Sequence, residues 1–478
     1  MPYLRELADK SAHTDIVKNP DVKGFLEQCE YLKEPSEDEI GAVVSRFAPV
    51  GSLGTATLPK GVMAVDGSFH ESSVDNRLPS TMVAFIKIGA VYIKLDEYSA
   101  LREGRFVNPF RVAALKDSNS ALTFALPSSN IRLRNRKTVR ESFREAVDKL
   151  LSGENTRFSK NDPRTSLRTT LFHLVAERPG EGLATHDPTH IRLEQCPTCR
   201  SGPVDVYDAP DQQRCGTCDA DVFPSDCLRL WEEVSEYQSN YGAVSRLAQV
   251  LEHLVPVHYV RYLLQQSKAS LGETAFIIDR PLAIFGNPAW LHRVILKFLW
   301  KANQELETAG LPRFMILGLQ KTGQVVDHVH LISRHLKPGT VFAIDDDYRY
   351  RHICSTREAA EDGFGRDTYY GQDFIFKTES GREFVLALPY PCAQKVDIPD
   401  FHRAKVDLAR YPDLGRALRL VSHFECDLYE NSVVPIALAH RYTAISVVPG
   451  GRVLDIFAKK TIGKTGNGGS HASDPPSS

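Results

Sequence analysis

Two apolar stretches of this chain each end in an aspartate followed by a break. Val62-Met63-Ala64-Val65 runs into Asp66-Gly67-Ser68, and Ala275-Phe276-Ile277-Ile278 runs into Asp279-Arg280-Pro281. The two small residues after Asp66 are expected to turn the backbone sharply, leaving the carboxylate open to a metal ion and a phosphate. Carboxylates brought together from distant strand ends can hold hard divalent cations, which prefer oxygen ligands. Two such ions about 3.5–4 Å apart activate a water and stabilise the leaving oxygen in phosphodiester hydrolysis. A third acid is expected from a helix. Residues 243–252 form an amphipathic stretch in which Glu252 follows Val250-Leu251 at the edge of the buried stripe, and Glu273 is the alternative. His440, in Val434-Pro435-Ile436-Ala437-Leu438-Ala439-His440, begins a late helix. Taken singly, each residue has a plainer role: a turn cap for an aspartate, a solvated face for a helical glutamate or histidine.

A second cluster is built from cysteines. Cys196-Pro197-Thr198-Cys199 and Cys215-Gly216-Thr217-Cys218 form two CxxC pairs. Their spacing predicts a zinc ribbon, with two thiolates from each turn completing a tetrahedron. Four thiolates close the coordination shell, so the expected Zn²⁺ is structural. Cys29, Cys227, Cys354, Cys392 and Cys426 are scattered and read as small core residues.

These side chains require a mixed sheet with helices on its faces. Strands are expected at 61–66, 81–88 and 90–95 (broken at Gly89), 275–279, 313–319 and 341–345, with a hairpin over 373–388. Helices are expected within 131–180 and 228–267 and over 289–306, 413–426 and 432–444. A last strand falls near 445–456, and 463–478 is a disordered tail. The organisation is therefore an N-terminal helical segment (1–60), a first part of the main domain (61–190), a ribbon insertion (191–228) and a second part of the main domain (229–460), before a tail from 461.

The chain has 478 residues, 42% hydrophobic and 25% charged, with a net charge of -2. That is ordinary for a globular protein, and no global positive field points to nucleic acid. Any cations for DNA must be gathered locally, and Arg132, Arg134, Arg136, Lys137, Arg140 and Arg144 form the densest group. Glu141, Glu145 and Asp148 could equally pair them along a helix. No apolar run reaches membrane-span length and the N-terminus has no apolar signal core, so a cytoplasmic chain with reduced cysteines and no membrane association is expected. Gly463-Lys464-Thr465 is not a P-loop, because Ala458 stands where the first glycine is required. Asp345-Asp346-Asp347 reads as a loop or helix start, and Asp327-His328-Val329-His330 as a strand edge.

In this order the motifs resemble the NurA nuclease family: a strand into Asp-Gly-Ser, a helix with Leu-Glu, a strand into Asp, and Pro-x-x-Leu-Ala-His. Gly318-Leu319-Gln320-Lys321 is similar to the family's Gly-x-x-Lys. The resemblance spans roughly 60–450. It implies an α/β, RNase H-like fold, Mn²⁺- or Mg²⁺-dependent hydrolysis of DNA, a homodimer, and work beside a HerA-type hexameric ATPase in end processing or defence. By motif match, Asp66, Glu252 and Asp279 would hold the metal ions and His440 would handle the water or orient the phosphate. Arg134, Arg136, Lys137, Arg140, Arg280 and Lys321 would meet DNA. Two departures stand out: Arg280 replaces the small residue often found after the second strand's aspartate, and the cysteine pairs lie in a long insertion between the first two acids. The rival expectation is a non-catalytic adaptor that binds nucleic acid or protein through the ribbon and the basic segment.

Overall fold

The computed structural model describes residues 12–29, 35–53, 57–75, 77–103, 106–107, 119–354, 366–426, 432–445 and 450–466. Among them, nine strands form one mixed sheet: β1 (Ala48–Pro49), β2 (Gly61–Asp75), β3 (Leu78–Lys94), β4 (Asn119–Pro127), β5 (Thr274–Ile278), β6 (Met315–Gln320), β7 (Thr340–Ala343), β8 (Gly371–Lys377) and β9 (Glu383–Pro389). Their spatial order is β1-β7-β8-β9-β6-β5-β2-β3-β4. The run β4-β3-β2-β5-β6 has β3 antiparallel to both neighbours, and β5 and β6 parallel to β2. This is the RNase H-like arrangement that the family resemblance implies, extended by four antiparallel strands.

Helices cover both faces. On one lie α1 (Val139–Ser152), α2 (Leu167–Val175), α3 (Tyr241–Gln266) and α4 (Leu291–Thr308), packed on the sheet residues Met63, Val65, Phe276 and Ile278. The other face, carrying Val62, Ala64, Ala275, Ile277, Leu317 and Leu319, is covered by α6 (Leu414–Phe424) and α7 (Val434–Thr443). Side chains alternate between faces along a strand, so each central strand is apolar throughout because both of its faces are buried. At the outer end of the sheet, α5 (Gln324–Ile332) packs with Phe342, Ile375 and Val385. The cysteine-bearing segment is not a bead on a tether, since Cys196, Val206 and Cys215 belong to the same apolar cluster as Met63 and Phe276.

Four local expectations are corrected. First, Gly67-Ser68 do not turn the chain: β2 continues through them to Asp75, paired in register with β3 as far as Ser73 and with a shift before Asp75. Gly89, opposite Asp66, likewise stays inside β3. The glycines serve helix approach instead. A Cβ on Gly67 would stand 2.5 Å from Glu252 Oε1, and one on Gly89 would stand 2.5 Å from Thr443 Cγ2. Second, α3 is buried on nearly all sides from Ala243 to Val260 rather than along one stripe. Third, α8 (Arg452–Gly466) replaces the expected last strand and takes in the start of the expected tail. Its Ala458 and Ile462, four residues apart on one helical face, pack beside Val74 and Val83 of the β2–β3 hairpin. Residues 446–449 and 467–478 lie outside the described residues. Fourth, His328 and His330 sit on α5 and not on a strand edge, and buried His328 bonds the Tyr348 hydroxyl at 2.6 Å.

Asp345 caps the short helix Asp346–Tyr348, as a helix start should. Of the scattered cysteines, Cys227, Cys392 and Cys426 are buried, Cys354 is half-buried and Cys29 is exposed. No helix among the described residues is long and apolar enough to cross a membrane.

Candidate active site

Register and alternation build the site. Val65 of β2 pairs with Ile278 of parallel β5, and the Asp279 amide donates to the Val65 carbonyl at 3.3 Å. Asp66 and Asp279 are therefore side by side, one step beyond the last paired residues. Each follows, two residues on, a side chain directed to the α6–α7 face, Ala64 and Ile277, so both carboxylates share that face. Lys321 follows Leu319 on β6 by the same count and pairs with Asp279.

From α7, His440 Nδ1 lies 3.1 Å from Asp66 Oδ2, and the Thr443 hydroxyl donates to the same oxygen at 2.7 Å. His440 and Thr443 reach one acceptor because residues three apart share a helical face. Ligand atoms of Asp66, Asp279 and His440 all lie within 4.8 Å of one another. Two carboxylates and an imidazole at that spacing can hold a divalent cation, and their oxygen and nitrogen donors suit Mn²⁺ or Mg²⁺.

The partner residues lie one step along each strand and so face the opposite way. Gly67 and Arg280 turn to the α3 side, where Glu252 rises from the helix. Glu252 is 1% exposed, and the Arg280 guanidinium forks onto its two carboxylate oxygens. The sequence placed Glu252 at the edge of a buried stripe; it lies deep in the core beside the site, and its charge is already matched. Glu273, the alternative, sits at the far end of the sheet beside Lys60 at the start of β2.

These groups open into a cleft of about 1080 Å³ lined by Asp66, Asp279, Arg280, Gln320, Lys321 and Arg441, among others. Burial pushes the Asp279 carboxyl up to about 6, against the pull of Lys321. Arg280 is pulled down by burial, which the neighbouring Asp66 charge opposes. Arg441, Thr443 and Gln320 escaped the sequence reading. For the first two, spacing along the helix from His440 was the available signal. Gln320 donates to buried Asp373 at 2.9 Å, a contact that no local pattern announces.

The basic segment is largely engaged within the protein. Arg136 pairs with Glu145 and Asp221 and stacks over Phe223, while Arg140 donates to the Val234 carbonyl at 3.0 Å. Arg144 is buried in a salt bridge to Asp226 at 2.6 Å. Together they bind α1 to the ribbon and the turn after it. Arg134 and Lys137 are exposed.

In the cysteine cluster, Cys196 and Cys218 sulfurs are 3.7 Å apart, and Cys199 and Cys215 sulfurs 3.9 Å. Tetrahedral zinc–thiolate bonds of about 2.3 Å require sulfurs about 3.8 Å apart, so the four fit Zn²⁺. The two turns are built alike. The Thr198 amide donates to Cys196 Sγ and the Thr217 amide to Cys215 Sγ, both at 3.4 Å. The next residues past each turn, Arg200 and Asp219, both adopt left-handed backbone, with φ of 64° and 56°. The cluster is compatible with the expected zinc ribbon.

No curated relative matches this chain. A family model described as the NurA domain matches residues 60–445, a span that holds both the acidic cleft and the cysteine cluster. The chain therefore belongs to the NurA family, a family of metal-dependent nucleases.

Proposed function

We propose that this protein is a metal-dependent nuclease that hydrolyses phosphodiester bonds of DNA in the cleft over Asp66 and Asp279. The observation that carries the reading is the convergence of Asp66, Asp279 and His440, 374 residues apart at the extremes, around one point of an open cleft. A bound divalent cation would lower the pKa of a water and draw charge from the phosphate. Asp66 and Asp279 would hold it, with Thr443 fixing the rotamer of Asp66 through its hydroxyl. His440, more than half exposed at the cleft, is placed to orient the attacking water or to take its proton. Lys321 and Arg441 give the cleft cations for the phosphate, and exposed Arg134 and Lys137 offer further contacts.

The larger setting follows the family. A HerA-type hexameric ATPase is the proposed partner, DNA ends in repair or defence the proposed substrate, a homodimer the working form and the cytoplasm its place. Zn²⁺ in the ribbon is proposed as structural, since its four thiolates leave no open position.

The test is digestion of linear DNA with Mn²⁺ by the purified protein and by Asp66→Ala and Asp279→Ala. Each substitution should lower the rate by at least about a hundredfold, more than loss of an outer-shell partner usually costs. Activity that survives both would reject the site. A wild-type protein that binds DNA but never cleaves it, even with its ATPase present, would establish the adaptor.

A further inference from the structure

The cation beside the acidic cluster has a place of its own. Arg280 follows Asp279 directly, and strand alternation sends its side chain to the α3 side of the sheet, where it covers Glu252. Glu252 itself does not line the cleft; Arg280 does. An ion entering the cleft therefore meets the guanidinium before it can reach the third carboxylate. Gly67 lets Glu252 come this close to β2, because a Cβ there would collide with its Oε1. Both carboxylate oxygens face the guanidinium fork.

Charge points the same way. Asp66, Glu252 and Asp279 carry three negative charges, and Arg280 and Lys321, each paired with one of them, return two positive charges. With the Arg441 guanidinium also in the cleft these charges balance, so one divalent ion already leaves the site positive for an entering phosphodiester. A second ion would add two further charges beside a guanidinium, in a partly desolvated place where like charges repel strongly. A two-ion centre would also need a third carboxylate within reach, and Glu252 lies on the opposite face of the sheet from Asp66 and Asp279.

Building on the nuclease reading, we infer that Arg280 stands where a second divalent ion would otherwise sit, so that the site works with one ion held by Asp66, Asp279 and His440. In the hydrolysis, a water oxygen bonds to phosphorus and one phosphorus–oxygen ester bond breaks. The water's proton leaves to solvent, since an imidazole that holds the ion through its free nitrogen has no lone pair left to accept it, and the departing oxygen takes a proton from solvent. Until that proton arrives, the negative charge developing on the departing oxygen is met by Arg280 in place of a second cation.

The test counts Mn²⁺ bound per chain by equilibrium dialysis and electron paramagnetic resonance, with zinc measured separately. Wild type should bind one Mn²⁺ at the cleft and give the spectrum of an isolated ion, without the coupling expected of a pair about 4 Å apart. Glu252→Gln, which preserves shape, should still bind one with the same affinity. Arg280→Ala should gain a second, weaker ion by freeing Glu252. Two coupled ions in wild type, or an ion lost in Glu252→Gln, would overturn the inference while leaving the nuclease reading intact. Mn²⁺ binding unchanged in Asp66→Ala would instead remove the site itself, and the inference with it. Should Arg280→Ala fail to fold, the wild-type and Glu252→Gln counts decide alone.

Discussion

The protein contains two clusters able to hold metal, and they are built on opposite plans. The cysteine cluster takes four ligands of one type from two matched turns within 23 residues, Cys196 to Cys218, and sets two of them inside the main apolar core. The acidic cluster takes two aspartates from adjacent strands and a histidine from a helix on one face, and leaves the assembly open to a cleft. One arrangement would satisfy an ion completely and leave no room for a substrate. The other surrounds an incomplete ligand set with cations and space. The difference is between a closed ligand set, suited to an ion that completes a fold, and an open one, suited to an ion that exchanges partners.

The largest effect should come from the closed cluster. Structural zinc contributes about 10 kcal/mol or more to folding where it has been measured in small modules. Cys215→Ala should therefore yield aggregated or largely unfolded protein, seen by circular dichroism and thermal melting. An unchanged melting temperature would show that the ribbon is stabilised by packing alone. Next, Arg280→Ala leaves Glu252 as a nearly fully buried charge without its partner, and should cost about 3–5 kcal/mol in denaturant titration. The double substitution with Glu252→Gln should recover most of that loss. Asp66→Ala at the open cluster should do the reverse of Cys215→Ala. It should abolish cleavage at a cost of at least about 2.7 kcal/mol in transition-state stabilisation while the fold melts nearly as before. A comparable loss of fold in both would erase the contrast drawn here.

Two smaller effects sharpen it. Gly67→Ala forces a Cβ into Glu252 and should destabilise by about 1–3 kcal/mol, with a fall in activity as the strand shifts beside Asp66. Acid should loosen α3, the helix that links the clusters. Its buried His253 and His258 are held down to about 4 and about 3 by burial, from 6.5 when free. The unfolded chain takes up these protons first, so melting temperature should fall progressively as pH drops from about 6.5 towards 4, and should not respond to these groups above 7. In the folded state the neutral His258 ring can donate from Nε2 to the Thr156 carbonyl at 2.9 Å and accept at Nδ1 from Thr170 at 2.7 Å, so both of its nitrogens are satisfied without charge. Thr170→Val should remove that donor and move the acid transition, measurable in the same melts.

Much of the fold was legible because apolar runs of strand length separated by helical periods leave few alternatives to a covered mixed sheet. The parallel strands β5 and β6 and the hairpin β8–β9 fall within a few residues of their expected positions. The expected turn at Gly67-Ser68 failed because a small residue signals either a bend or a close approach, and only the partner distinguishes them. Here the partners are Glu252 at Gly67 and Thr443 at Gly89. The late helix α8 was missed for a related reason: short segments with mixed apolar content take the form that the surface beneath them can bury.

By itself the sequence determined which groups exist and how far apart they are along the chain. That suffices for the cysteines, whose ligand geometry is local to two four-residue turns. It also suffices to mark Asp66, Asp279 and His440 as residues that could meet. Only the tertiary structure decided how charges were paired: Arg280 to Glu252, Lys321 to Asp279, and Arg136 and Arg144, just before and on α1, to Asp221 and Asp226 beyond the cysteine turns instead of to a phosphate. Pairing depends on which face each side chain takes and which helix covers that face. Strand register and packing settle both, and spacing along the chain carries neither.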